Sequence, residues 1–172
     1  MNEQAVTAVE NQIAPGPYAI FLQEKGLKVK SLGMNNSGVE MIALEASDLV
    51  QACKDLKRQK GLIRLNFITA VEVKEGYQSI NFLDDIKGGN SLVIKVTVPK
   101  SKPVVPSLTE IFPTANWQER EAFDMLGITY SGHPNLTRIL NPDAWDGYPL
   151  RKDYIGPVDP LNEPLRFTNC SP

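Results

Sequence analysis

The chain has 172 residues, 42% hydrophobic and 22% charged, and its 18 basic and 20 acidic side chains leave a net charge of −2. That length holds one domain with its own core, leaves no room for two large ones, and shows no bias toward disorder, collagen or coiled coil. A near-neutral balance, kept in both halves, excludes the basic face of a dedicated nucleic-acid binder. One histidine, His133, and two remote cysteines, Cys53 and Cys170, are too few for a zinc or iron–sulfur site unless carboxylates stand in.

Residues 1–14 read as a loose polar tail with no secretory signal, and no stretch approaches the ~20 apolar residues that span a bilayer. Pro15-Gly16-Pro17 then opens an α+β domain, expected over 15–127. Tyr18 to Lys25 predicts a short helix stopped by Gly26, and Leu27 to Leu32 a strand. Asn35-Asn36-Ser37-Gly38 is turn chemistry, followed by a second strand from Val39 to Leu44. Ser47 is placed to cap a helix to Lys60, with Leu49, Val50, Cys53 and Leu56 on one face. The clearest strand alternates Ile63, Leu65, Phe67, Thr69, Val71 and Val73 on one side with Arg64, Asn66 and Glu72 on the other. Tyr77 to Phe82 returns as its hairpin partner, and Leu92, Ile94, Val96 and Val98 line one face of another strand. Helix, strands, helix and hairpin-linked strands predict an α+β fold: a small, mainly antiparallel sheet with two to four helices packed on it.

From Pro99 prolines multiply and regular strands are expected to end. Ser107 with Glu110, and Asn116 with Glu119, have the spacing of capping boxes; the second would open a helix from Trp117 to Leu126 that Gly127 closes. Residues 128–172 read as an irregular, proline-rich C-terminal extension, with a turn at Asn141-Pro142, long enough to require another surface to lie on.

Candidate chemistry is sparse. Glu119, Glu121 and Asp124 with Arg120 on one helix have the composition of an acid–base or metal group, but ion pairs such as Arg120 with Asp124 at i,i+4 explain them more simply. His133, between Gly132 and Pro134, has no acid or thiol near it in sequence, which favours a structural role. Arg138, Arg151 and Lys152 interleave with Trp145 and Tyr148, while Asp143, Asp146 and Asp153 cancel their charge, so a protein interface is favoured over nucleic acid.

Three runs then stand out together. Trp117-Gln118-Glu119-Arg120-Glu121-Ala122-Phe123-Asp124-Met125-Leu126-Gly127-Ile128 is followed by His133-Pro134-Asn135-Leu136-Thr137-Arg138-Ile139-Leu140. Trp145-Asp146-Gly147-Tyr148-Pro149-Leu150-Arg151-Lys152-Asp153-Tyr154 completes the set. They closely resemble the signature of one subunit family of complex I, the subunit called C in bacterial NADH:quinone oxidoreductase and J in cyanobacterial and plastid NDH-1. Ser31-Leu32-Gly33 and Gly38-Val39-Glu40 resemble the cyanobacterial and plastid branch. The resemblance implies a non-catalytic subunit with no cofactor of its own, iron–sulfur clusters and quinone lying in neighbouring subunits. It implies partners in the hydrophilic arm: the quinone-pocket subunit (D/H type), the terminal iron–sulfur subunit (B/K type) and the ferredoxin-like cluster subunit (I type). It also implies plastoquinone as acceptor and a place on the cytoplasmic or stromal side of a thylakoid membrane, touched only through the complex. The alternative from the residues themselves is a free-standing enzyme using His133 with Glu119 or Asp124.

Overall fold

The computed structural model describes residues 14–86 and 89–156. Its elements in order are α1 (Pro17–Glu24), β1 (Val29–Met34), β2 (Glu40–Leu44), α2 (Leu49–Gln59), β3 (Arg64–Val73), β4 (Gly76–Asp84), β5 (Ser91–Val98), β6 (Val104–Pro106), α3 (Ala115–Leu126) and β7 (Thr129–Ser131). Five strands form one sheet in the order β1-β2-β5-β4-β3, antiparallel except where β2 runs parallel to β5. The expected α+β architecture, a mainly antiparallel sheet with two to four helices, is the one observed, with three α-helices among the described residues. No helix among the described residues is long and apolar enough to cross a membrane.

Local chemistry explains the elements. Pro17 starts α1, where a missing N–H breaks no helical bond. The next two amides, of Tyr18 and Ala19, donate to the Glu40 carboxylate of β2 at 3.0 and 2.9 Å, so a strand side chain caps the helix. A Cβ on Gly16 would sit 2.7 Å from Glu40 Oε1, which explains the glycine. Ser47 is not the cap of α2: a 3₁₀ turn over Ala46–Asp48 leads into the helix, and the Ser47 hydroxyl donates to Asp48 Oδ1 instead. Leu49, Ala52, Cys53 and Leu56 bury the apolar face of α2. Full burial of one such leucine stabilises by roughly 1.5–3 kcal/mol.

β3 corrects the sequence reading of its faces. A bulge between Leu65 and Phe67 inserts Asn66 as an extra residue and inverts the alternation. Leu65 and Ile68 are buried, whereas Phe67, Thr69 and Val71, expected on the same face as Leu65, point away from the core. All helices and the 105–112 loop pack on the face carrying Ile42, Leu44, Leu83, Leu92, Ile94 and Val96.

The expectation that regular strands end at Pro99 also fails. β6 and β7 form a small parallel pair, Val104 opposite Thr129 and Pro106 opposite Ser131. Neither capping box forms. Residues 109–111 make a turn, α3 begins at Ala115 with Thr114 before it, and Asn116 lies inside the helix. The Gly127 stop holds, in left-handed geometry at φ 75°. The described part of the C-terminal extension, 128–156, is tied to its own domain by a dense set of polar anchors described below. Residues 157–172 and the tail 1–13 lie outside the described residues.

Candidate functional site: the signature strap on helix α3

The signature residues converge on α3 and the chain that crosses it. Asp124 is fully buried. Its Oδ2 accepts the successive backbone amides of Ile139, Leu140 and Asn141 at 3.0, 2.7 and 2.9 Å. Its Oδ1 accepts Arg138 Nη1 at 2.7 Å and Asn141 Nδ2 at 2.9 Å. Burial pushes this carboxyl up, but the Asn141 amide, the Arg138 guanidinium and the Ile139 amide outweigh it and hold the group well below the ordinary carboxylate range. Arg138 also donates through Nη2 to the Gly147 carbonyl at 2.9 Å and lies over the Tyr148 ring. The i,i+4 pair expected between Arg120 and Asp124 is not made. Arg120 reaches across to the Thr137 carbonyl and hydroxyl and the Arg138 carbonyl, 2.9–3.0 Å away, and faces the Trp117 ring.

A second anchor lies past the end of α3. Arg151 Nε donates to the Leu126 carbonyl at 2.7 Å, and its guanidinium lies 4.2 Å from the Tyr148 ring centre and 5.2 Å from that of Tyr77. Gly127 makes room for it: a Cβ there would lie 2.7 Å from the Tyr148 ring. Gly147 is likewise required, at φ 77° with a hypothetical Cβ 2.8 Å from the Tyr154 ring. The Leu150 amide donates to the Met125 carbonyl at 3.0 Å, and the Lys152 amide to Glu72 Oε2 at 2.7 Å. Lys100 holds the other Glu72 oxygen. Pro149 is half-buried between these anchors, and Asp153 is exposed.

Glu119 belongs to a different environment. Fully buried, it accepts the Leu108 amide and the Ser107 hydroxyl, both at 2.7 Å, with no cation beside it. Burial raises its carboxyl to about 7 against the pull of those two donors. Glu121 is exposed. His133 accepts the Asn135 amide at Nδ1, which leaves Nε2 to carry the proton and donate to the Asn116 carbonyl at 3.1 Å. Its ring thereby ties the loop ending at exposed Pro134 to the first turn of α3. No hydrogen bond joins His133 to Glu119 or Asp124, so the acid–base group of the free-standing-enzyme alternative is not assembled. Among the described residues no group of three or more His, Cys, Asp or Glu side chains is placed to hold a metal.

Large apolar side chains remain outward, and two buried polar atoms of the strap remain unpaired. Trp117, Leu140, Leu150 and Ile155 are between 61% and 85% exposed. The Trp145 indole N–H and the Tyr154 hydroxyl have no partner among the described residues. Tyr154, with Asp146, Gly147, Tyr148 and Ile155, lines an open depression of about 290 Å3. Sequence reasoning missed Gln118, Thr137, Asn141 and Glu72 as anchors. Their partners lie far along the chain, and no spacing rule connects them.

The sequence and the fold have counterparts. Residues 42–159 match the family described as the respiratory-chain NADH dehydrogenase 30 Kd subunit. In fold the chain is similar to the trypsin-resistant fragment (1–134) of Nqo5, with a TM-score of 0.59 at 24% identity, covering 68% of this chain and 95% of that one. It is similar too to a chain of the membrane-bound sulfane sulfur reductase, an archaeal respiratory membrane complex, with a TM-score of 0.63 at 23% identity, covering 79% and 84%. The matched span runs from within β2 through the whole strap, holds β3, β4 and β5 and the signature residues, and the chain therefore belongs to the complex I 30 kDa subunit family.

Proposed function

We propose that this chain is a non-catalytic subunit that braces the hydrophilic arm of an NDH-1-type, proton-pumping quinone oxidoreductase of the cyanobacterial and plastid branch. In this reading the complex passes electrons from NAD(P)H or reduced ferredoxin to plastoquinone at a thylakoid membrane. The chain holds no redox centre and contacts the quinone-pocket subunit (D/H type), the terminal iron–sulfur subunit (B/K type) and the ferredoxin-like cluster subunit (I type). Ser31-Leu32-Gly33 and Gly38-Val39-Glu40 support the choice of branch by resemblance.

One observation carries the bracing role. Asp124, Arg120, Arg138 and Arg151 spend their polar groups inward, fixing the strap to α3, while Trp117, Leu140, Leu150 and Ile155 are left facing solvent. A catalytic site is arranged the other way, with polar groups converging on a cleft. Large apolar side chains on a rigid polar-anchored frame are what stable interfaces use. The test is affinity capture of the tagged chain from native membranes followed by mass spectrometry. Co-purification with the three neighbours is expected; an isolated, monodisperse chain with activity of its own overturns the reading.

A further inference from the structure

The main sheet has a second face that no helix among the described residues covers. Register places Met41 of β2, Val93 of β5, Phe82 of β4 and Phe67 of β3 side by side in one row across four strands. At the usual strand spacing this row runs about 14 Å. The Phe67 and Phe82 rings stack with centroids 5.1 Å apart. Phe67 and Val71 are each 41% exposed, and Val93, although 7% exposed, lies outside the core cluster. The adjoining row carries Lys30, Ala43, Lys95, Ile80 and Thr69. Lys95 is half-buried with no hydrogen-bond or ion-pair partner among the described residues. The carboxylate at the rim, Asp84, is already held by Arg64 at 2.6 Å and by Asn66. On a chain of net charge −2, this face is apolar and basic.

We propose that this open face docks a neighbouring polypeptide of the same complex, one that lays an apolar ridge along Met41, Val93, Phe82 and Phe67 and sets a carboxylate against Lys95. The proposal rests on the subunit reading above. Lys95 stands on this face with no counter-ion among the described residues, and a carboxylate brought by the partner complements its charge and selects that partner. A second copy of this chain fits poorly. A two-fold contact would set the same patch on itself, and its rim carboxylate Asp84 is already committed to Arg64, so a second copy brings Lys95 no free carboxylate from this face. Carboxylates of this chain outside the described residues, Glu3, Glu10, Asp159 and Glu163, are the alternatives the test discriminates.

The test uses the intact complex purified from cells whose only copy is the tagged full-length chain. Treatment with a carbodiimide, which joins an amine directly to a touching carboxylate, is expected to link Lys95 to an Asp or Glu of another subunit. A link to a carboxylate of the same chain, or no link at Lys95, overturns the proposal. In parallel, Lys95→Glu and Phe67→Ser are expected to lower the incorporated fraction at least tenfold, with Lys95→Arg incorporated as wild type. An unchanged urea midpoint for the isolated Lys95→Glu chain excludes misfolding as the cause. Normal incorporation of Lys95→Glu and Phe67→Ser sinks the proposal alone, whereas a wild-type chain that enters no complex sinks the subunit reading and the proposal with it.

Discussion

Gln118 serves Ile68 as a missing neighbouring strand would. Its Oε1 accepts the Ile68 amide at 2.7 Å while its Nε2 donates to the Asn66 carbonyl at 3.3 Å. β3 is an edge strand, and an edge with free amides and carbonyls invites pairing with other chains. A carboxamide reproduces the donor–acceptor pattern of a peptide group, so one side chain of α3 closes the edge at the bulge. Gln118→Leu should cost about 1–3 kcal/mol by leaving both groups unpaired, read as a lower urea midpoint, and should increase light scattering on mild heating.

Glu119 makes stability fall as pH rises. Below its ordinary value of 4.5 both folded and unfolded chains hold the proton. Between 4.5 and about 7 the unfolded chain releases it while the folded chain keeps it, so folding is progressively penalised; above about 7 the penalty is constant. The total is about 3 kcal/mol. Glu119→Gln cannot ionise. It should be more stable than wild type at pH 8 and show a smaller loss between pH 5 and pH 8, measured by urea denaturation. Equal slopes for the two proteins would contradict this.

Asp124 has the opposite sign. Its folded value lies below the ordinary 3.8, so its contribution is present above that pH and is lost as acid drives pH down through the folded value. Asp124→Asn removes the charge that Arg138 and three amides converge on, and should cost about 3 kcal/mol. Hydrogen exchange gives a local readout. The amides of Ile139, Leu140 and Asn141 should exchange slowly in the isolated wild-type chain and quickly in the variant.

Gly127→Ala tests the strap from the other side. The left-handed backbone costs roughly 1–2 kcal/mol for any residue with a Cβ, and the methyl would also push into the Tyr148 ring. A loss of stability larger than the backbone figure, with faster exchange at the Leu150 amide, is the expected outcome.

His133→Ala should leave turnover of the assembled complex nearly unchanged, because both ring nitrogens are committed to Asn116 and Asn135. A hundredfold loss of rate, about 2.7 kcal/mol of barrier, would place the imidazole in the chemistry.

Legibility varied with the range of the interaction. β5 is readable because Leu92, Ile94, Val96 and Val98 alternate without interruption and all four are buried. β3 is readable as a strand but not in its orientation, since the bulge at Asn66 swaps its faces without altering the alternation in the sequence. Asn116 and Glu119 have capping-box spacing, yet Ser107 and Leu108 capture the carboxylate from a turn that comes before the helix. The signature was visible as a pattern of residue types. Its physical content, three amides of 139–141 on one oxygen of Asp124, joins positions with no common period.

The strand order dictates a sequence of events during synthesis. β3, β4 and β5 follow one another as a meander and can zip together as neighbours, but β2 must wait for β5, because its parallel register joins Ile42 to Ile94 across the whole intervening hairpin. Closing that loop is the slow, non-local step. Until residue 98 has left the ribosome, a nascent chain ending anywhere in the hairpin carries β2 with one side of its backbone unpaired and the apolar face of α2 uncovered. The growing chain is most exposed to aggregation in that window, and chaperone demand should peak there rather than during emergence of the proline-rich end.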